Sequence, residues 1–139
     1  MKLSKKNMLK LMADWADAWN RHDFEAVMER FHDDILFENW TGGCATGKEA
    51  LRKAWAPWFG NHGNFVFKTE DFIADEEGQR VIWQWRLDWP SMEKGYGGKR
   101  EVRRGADIIE LKDGKIFRKI TYSKTTVEID GRKKPLTAD

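Results

Sequence analysis

Covalent cross-links are scarce in this chain: its 139 residues hold one cysteine, Cys44. A lone thiol cannot close an internal disulfide, which excludes a stapled secreted scaffold and suits a reducing compartment, the cytoplasm. In its Gly-rich loop Cys44 reads as a small packing residue rather than a nucleophile. Charge of one sign is scarce as well. Lys and Arg number 25 against 23 Asp and Glu, so the net charge is +2, too little field to draw in nucleic acid or an anionic membrane. The one basic run, Lys99, Arg100, Arg103 and Arg104, reads as a solvated strand edge. No apolar run reaches the length of a signal sequence or a membrane span. There are no repeats, low-complexity segments or linkers. The expectation is a single domain over 1–139, with an ordered core over about 5–128 and a polar tail, "DGRKKPLTAD", that frays.

Chemical motifs are also few. His22, His32 and His62 have no second donor at ligand spacing on one element, so no metal is expected and surface or capping roles suit them. No Ser-His-Asp order, phosphate-binding glycine loop or dinucleotide fingerprint is present, and no cofactor is expected. The segment "GYGGK" after Pro90 reads as a flexible hairpin connection that could cover a pocket.

What the chain has in excess is flat apolar surface: 8 Trp and 8 Phe. Ligand pockets and subunit interfaces are the usual consumers of such surface. Met8, Leu11, Met12, Trp15 and Trp19 fall at helical spacing and predict an amphipathic first helix. Asp23 is placed to cap a second, short helix with the stripe Phe24, Val27, Met28 and Phe31. "HDDILFENW" reads as a strand and "TGGCATG" as a loop. Thr46 and Glu49 form a capping-box pattern for a third helix burying Leu51, Ala54, Trp55 and Trp58, which Pro57 should kink or end. Four strand patterns follow: Phe65–Ala74, Arg80–Trp89, Lys99–Lys112 and, after a tight turn at "KDG", Lys115–Glu128. The order predicts an α+β fold, a strongly curved antiparallel sheet with three helices from the N-terminal half covering one face.

One strand poses a choice. In "VIWQWRLDW", Val81, Trp83, Trp85, Leu87 and Trp89 share one face, and Ile82, Gln84, Arg86 and Asp88 share the other. Either the tryptophans fill the interior, or Arg86 and Asp88 look into a pocket and the tryptophans are buried elsewhere.

The strings "ADWADAWNRHDFEAVMERFHDDILFEN", "GKEALRKAW" and "RRGADIIELKDGKI", followed by Tyr122, resemble the nuclear transport factor 2-like superfamily in its SnoaL-like, ketosteroid-isomerase-like branch, over residues 8 to 125. The resemblance implies a cone-shaped roll, three helices closing the concave side of the sheet, a pocket at the open end, and a homodimer. It places Asp107 where steroid isomerases hold a protonated oxyanion-hole donor, a state that apolar surroundings favour in a carboxyl group. The alternative for Asp107 is a structural ion pair with Arg103 or Arg104.

The other isomerase parts are absent. The general-base position is Asn39, the phenol position is Trp15, and two family tyrosines are replaced by Phe31 and Trp55. Proton transfer between carbons needs a base as well as an enolate stabiliser, so steroid isomerisation is rejected. A partial resemblance to limonene-epoxide hydrolases instead implies that Arg86 and Asp88 of "WRLDW" act with Asn39. In those relatives an arginine between two carboxyls separates their roles as base and acid. Here the second aspartate position is Thr121 and the water-holding tyrosine position is Phe37.

The expected function is a pocket for a small, largely apolar molecule and acid–base chemistry upon it: hydration, dehydration, cyclisation or isomerisation. Asp107, Asp88 and Arg86 are the candidate catalytic groups, with Asn39, Trp15, Trp55, Phe31, Phe37 and Tyr122 lining the substrate site. On this reading Arg86 and Asp88 face inward, and Trp83, Trp85 and Leu87 form a convex patch that a second copy must cover. The alternative is a non-catalytic ligand-binding or dimeric assembly domain of the same fold.

Overall fold

The N-terminal helix starts where a side chain can replace a missing backbone partner. In the computed structural model, which describes residues 1–136, Ser4 accepts a hydrogen bond from the Asn7 N–H at 3.2 Å and opens α1, Lys5–Asn20. Its apolar stripe buries Met8, Met12, Trp15 and Trp19. Asp23 caps α2, Phe24–Glu29, by accepting from the Ala26 N–H at 3.1 Å. Phe31, expected on that helix, is instead the first residue of β1, Phe31–Glu38.

The third helix departs from its expected boundaries at both ends. α3, Lys48–Gly60, begins after Gly47 with no side-chain cap, so the Thr46–Glu49 box does not form. Thr46 is held in β2, Cys44–Thr46, paired with Leu36, and the loop reading of this segment is corrected accordingly. Pro57 removes one helical hydrogen bond but does not stop the helix, whose buried side continues through Leu51, Trp55 and Phe59.

The sheet runs β2-β1-β6-β5-β4-β3, with β3 Val66–Asp75, β4 Arg80–Pro90, β5 Arg100–Lys112 and β6 Lys115–Ser123. The β5–β6 turn places Asp113 (φ 53°) and Gly114 (φ 72°) in the left-handed region that a two-residue hairpin requires. Pairing is antiparallel except between β1 and β6, which run parallel, so the expected antiparallel sheet is a mixed one. The last predicted strand divides: after β6, a second hairpin is made by β7, Thr126–Ile129, and β8, Arg132–Pro135, and β7 returns to pair with β5. The expected fraying tail is therefore paired as far as Pro135, while Thr137–Asp139 lie outside the described residues.

The result is a curled half-barrel of α+β class whose concave face meets the three helices. No helix among the described residues is long and apolar enough to cross a membrane.

Candidate active site

The β4 choice is settled by burial. Val81, Trp83, Trp85 and Leu87 are buried against the helices, whereas Ile82 and Arg86 are exposed on the convex side. Each tryptophan carries about 150–250 Å² of surface, worth roughly 4–6 kcal/mol at about 25 cal/mol per Å². Turning Trp83 and Trp85 outward to bring a guanidinium inward would forfeit that gain and add the cost of desolvating a charge.

The neighbouring strands stay in phase with this row. Trp83 stands opposite Asp107 and Asp107 opposite Thr121, while Trp85 stands opposite Gly105 and Gly105 opposite Ser123. At Gly105 a Cβ would lie 2.6 Å from the Trp85 ring and 2.5 Å from the Tyr122 carbonyl oxygen. The missing side chain lets the Trp85 indole lie against the strand. Between this sheet surface and the helices is a cavity of about 380 Å³, walled mainly by Trp19, Trp55, Trp58, Phe67, Trp83 and Trp85. That volume and lining fit a small, largely apolar molecule.

Three of the polar groups in this wall are mutually paired. Lys119 Nζ donates to Thr121 Oγ1 at 2.8 Å, Thr121 Oγ1 donates to Asp107 Oδ1 at 2.7 Å, and Lys119 Nζ lies 3.1 Å from Asp107 Oδ2. The three groups close a ring, with Asp107 at 1% exposure, Lys119 at 6% and Thr121 at 9%. The ammonium also sits 4.9 Å from the Phe37 ring centroid and 5.6 Å from that of Trp55, within cation–π range. Such a ring can take a proton at the carboxylate, pass it through a hydroxyl and hold negative charge beside an ammonium.

A second ion pair also serves this wall. Arg103, on the cavity wall, contacts the fully buried Glu101 at 3.0 Å and lies over the rings of Trp40 and Trp89. Glu101 also accepts from Ser91 Oγ at 3.1 Å and from the Trp89 indole N–H. The loop after β1 and the end of β4 are thus tied to one guanidinium.

Residues 12–119 match the SnoaL-like domain family. The chain belongs to that family. Among solved structures, this SnoaL-like chain is similar to a proposed polyketide cyclase from Xanthomonas campestris pv. campestris (20% identity, TM-score 0.71, covering 86% of this chain and 92% of that one). It is likewise similar to SalBIII, an epoxide hydrolase/cyclase-like enzyme in pyran ring formation in the polyether salinomycin (16% identity, TM-score 0.75, 87% and 93%). A SnoaL-like protein of unknown function from Burkholderia thailandensis E264 matches at 17% identity and TM-score 0.70, covering 88% and 98%. No curated protein matches the sequence.

The SnoaL-like cavity gathers some of the predicted residues and leaves others out. Asp107, Asn39, Phe37 and Trp55 line it. Trp15 and Phe31 do not; both are fully buried behind the wall, with their rings 5.8 Å apart edge to face. Tyr122 is 60% exposed on the convex side, because Lys119, Thr121 and Ser123 take the inward positions of β6. The expectation that Arg86 and Asp88 face inward is corrected too. Arg86 lines a convex groove, and Asp88, although buried, lies outside the aromatic cavity and is held by Arg100 at 3.0 Å and Lys68 at 3.3 Å.

Asp107 is paired with neither Arg103 nor Arg104, and its expected isolation in an apolar cavity does not hold either. Its partner, Lys119, was missed. Arg104 points outward to Glu70, whose carboxyl it holds below the ordinary glutamate range through two hydrogen bonds of 2.9 Å. His22 and His62 stack on each other with ring centroids 3.9 Å apart, and the His32 and His62 rings accept from nearby backbone N–H groups. The signal for Lys119 and Thr121 was present in "KITYS": their spacing of two puts them on the face that their register with β5 assigns to Asp107.

Proposed function

We propose that this SnoaL-like chain is an acid–base enzyme acting on a small, largely apolar molecule held in the aromatic cavity, by hydration, dehydration, cyclisation or isomerisation. The Lys119–Thr121–Asp107 ring carries the proposal. Asp107 is the group that accepts and returns a proton, Thr121 orients it, and Lys119 stabilises negative charge on a substrate oxygen. An ammonium in a water-poor site needs little reorganisation to meet such charge, which makes it an effective transition-state partner. Asn39 and Phe37 complete the rim on the β1 side. The likeness to cyclase-like and hydrolase-like folds is consistent with this class of chemistry without naming a substrate.

Replacing the carboxylate tests the assignment. Across a panel of epoxides, enones and polyketide-type ketones, Asp107→Asn should lower turnover by about 10²–10⁴-fold, the usual weight of a general acid or base. Folding and ligand-induced quenching of tryptophan emission should survive. Wild-type rates in the variant would remove Asp107 from the chemistry.

The ring's self-sufficiency favours one other reading, a non-catalytic ligand-binding or assembly domain, because both Asp107 oxygens are already engaged. Under that reading the panel quenches emission and nothing turns over. The free, exposed Cys44 supports a reducing compartment, the cytoplasm. A homodimer through the convex face is supported by a row of apolar side chains there, Ile73, Ile82, Ile108 and Ile120 on four adjacent strands.

A further inference from the structure

We propose that Lys119 is an imine-forming nucleophile and that the cavity takes neutral aldehydes or ketones with a flat aromatic body. This rests on the cavity being a ligand site, as above, and adds the bond that Lys119 makes there.

Charge selects the ligand class. The cationic groups on the wall, Lys119 and Arg103, are matched by Asp107 at 3.1 Å and Glu101 at 3.0 Å. A neutral molecule leaves both pairs intact, whereas an anion would have to sit beside one of the two carboxylates. Two further features favour an oxygen-bearing aromatic. Trp19, part of the wall, has a buried indole N–H with no protein acceptor, and the wall itself is mostly ring faces.

Position selects the nucleophile. The Lys119 side chain is 8% exposed, borders the cavity and touches a carboxylate and a hydroxyl that can move its protons. A lysine kept from water by apolar neighbours is the usual setting for carbonyl capture. Asp107 takes one ammonium proton, and the freed nitrogen lone pair attacks the carbonyl carbon. The C=O π pair moves to oxygen, which is protonated by Asp107 through Thr121. Nitrogen then gives its second proton to Asp107, which passes it through Thr121 to the hydroxyl, and the nitrogen lone pair expels that group as water. The products are an iminium bearing the third proton and one water, with Asp107 again a carboxylate.

Charge is conserved, because one cation replaces another at the same nitrogen. The contacts that hold the ammonium, Asp107 at 3.1 Å, the Phe37 ring at 4.9 Å and the Trp55 ring at 5.6 Å, therefore serve the iminium equally well. The structure assigns to Lys119 surroundings that fit both ends of the reaction.

The test uses one equivalent of 2-naphthaldehyde with sodium cyanoborohydride, whose hydride fixes an iminium as a secondary amine, followed by peptide mass mapping. Lys119 should carry at least about tenfold more adduct than the average surface lysine. Lys119→Arg should lose that adduct, and Thr121→Val should slow its formation; quenching by 2-naphthol, which has no carbonyl, reports ligand binding in the wild type. Adduct at Lys119 no higher than at surface lysines, while 2-naphthol still quenches, would overturn the proposal and leave the ligand site standing. Failure of 2-naphthol to quench would overturn both. The wild-type map decides the matter even if a variant does not fold.

Discussion

A methyl group at position 105 would have nowhere to go. Gly105 sits between a backbone carbonyl and the edge of the Trp85 indole. Gly105→Ala should cost about 1–3 kcal/mol, the range for overpacking a filled site, read as a lower midpoint in urea unfolding. It should also weaken quenching by 2-naphthol, since the Trp85 ring that must shift is part of the cavity wall. Asp107 was legible at this scale through the resemblance to steroid isomerases, on a strand face it shares with Gly105 and Ile109. Its partner was not, because Lys119 and Thr121 stand among Arg118, Ile120 and Tyr122, and nothing local says which alternate set is buried. Only the register with β5, which brings Thr121 opposite Asp107, decides that.

Along β5 the inward positions read Glu101, Arg103, Gly105, Asp107, Ile109 and Leu111, passing from charged near Trp89 to apolar near the turn. The gradient fits an element that supports the site at one end and the core at the other. Glu101→Leu should therefore cost more than an ordinary surface-charge removal, about 3–5 kcal/mol, because it strands a buried guanidinium. Calorimetry of the variant measures it, and Glu101→Leu/Arg103→Met should recover much of the loss. Most elements could be read from the chain, since α1 and the four long strands follow from periodicity and turn residues. The misplaced pieces share one cause. Thr46 as a cap, Phe31 on a helix and Pro57 as a stop are local preferences that tertiary pairing overrides, the first two by strand partners and the third by continued burial of α3. The facing of β4 departs from the inward Arg86–Asp88 expectation because burying Trp83 and Trp85 outweighs it.

At the scale of the whole molecule, the sheet separates two surfaces, a concave one that encloses the cavity and a convex one that carries the isoleucine row. The proposed dimer would use that row rather than Trp83 and Trp85, with Arg80, Glu110 and Arg118 along one side and Gln84, Ala106 and Tyr122 along the other. Wild-type protein is expected to run as a dimer in light scattering and Ile108→Lys as a monomer. A monomeric wild type would leave the convex face without a partner. One feature of the sheet reaches beyond its finished form. The parallel seam joins Leu36, early in the chain, to Arg118, late in it, so β1 has no strand on that flank until β6 has been made. A ribosome releasing this chain thus exposes the helices and β1 long before the strand that seals them emerges. Pairing so distant in sequence carries a high loop-closure cost and slows folding. The half-made chain is consequently the state most open to chaperones and to misassembly, and the last long strand completes the cavity and shelters the nascent protein in one step.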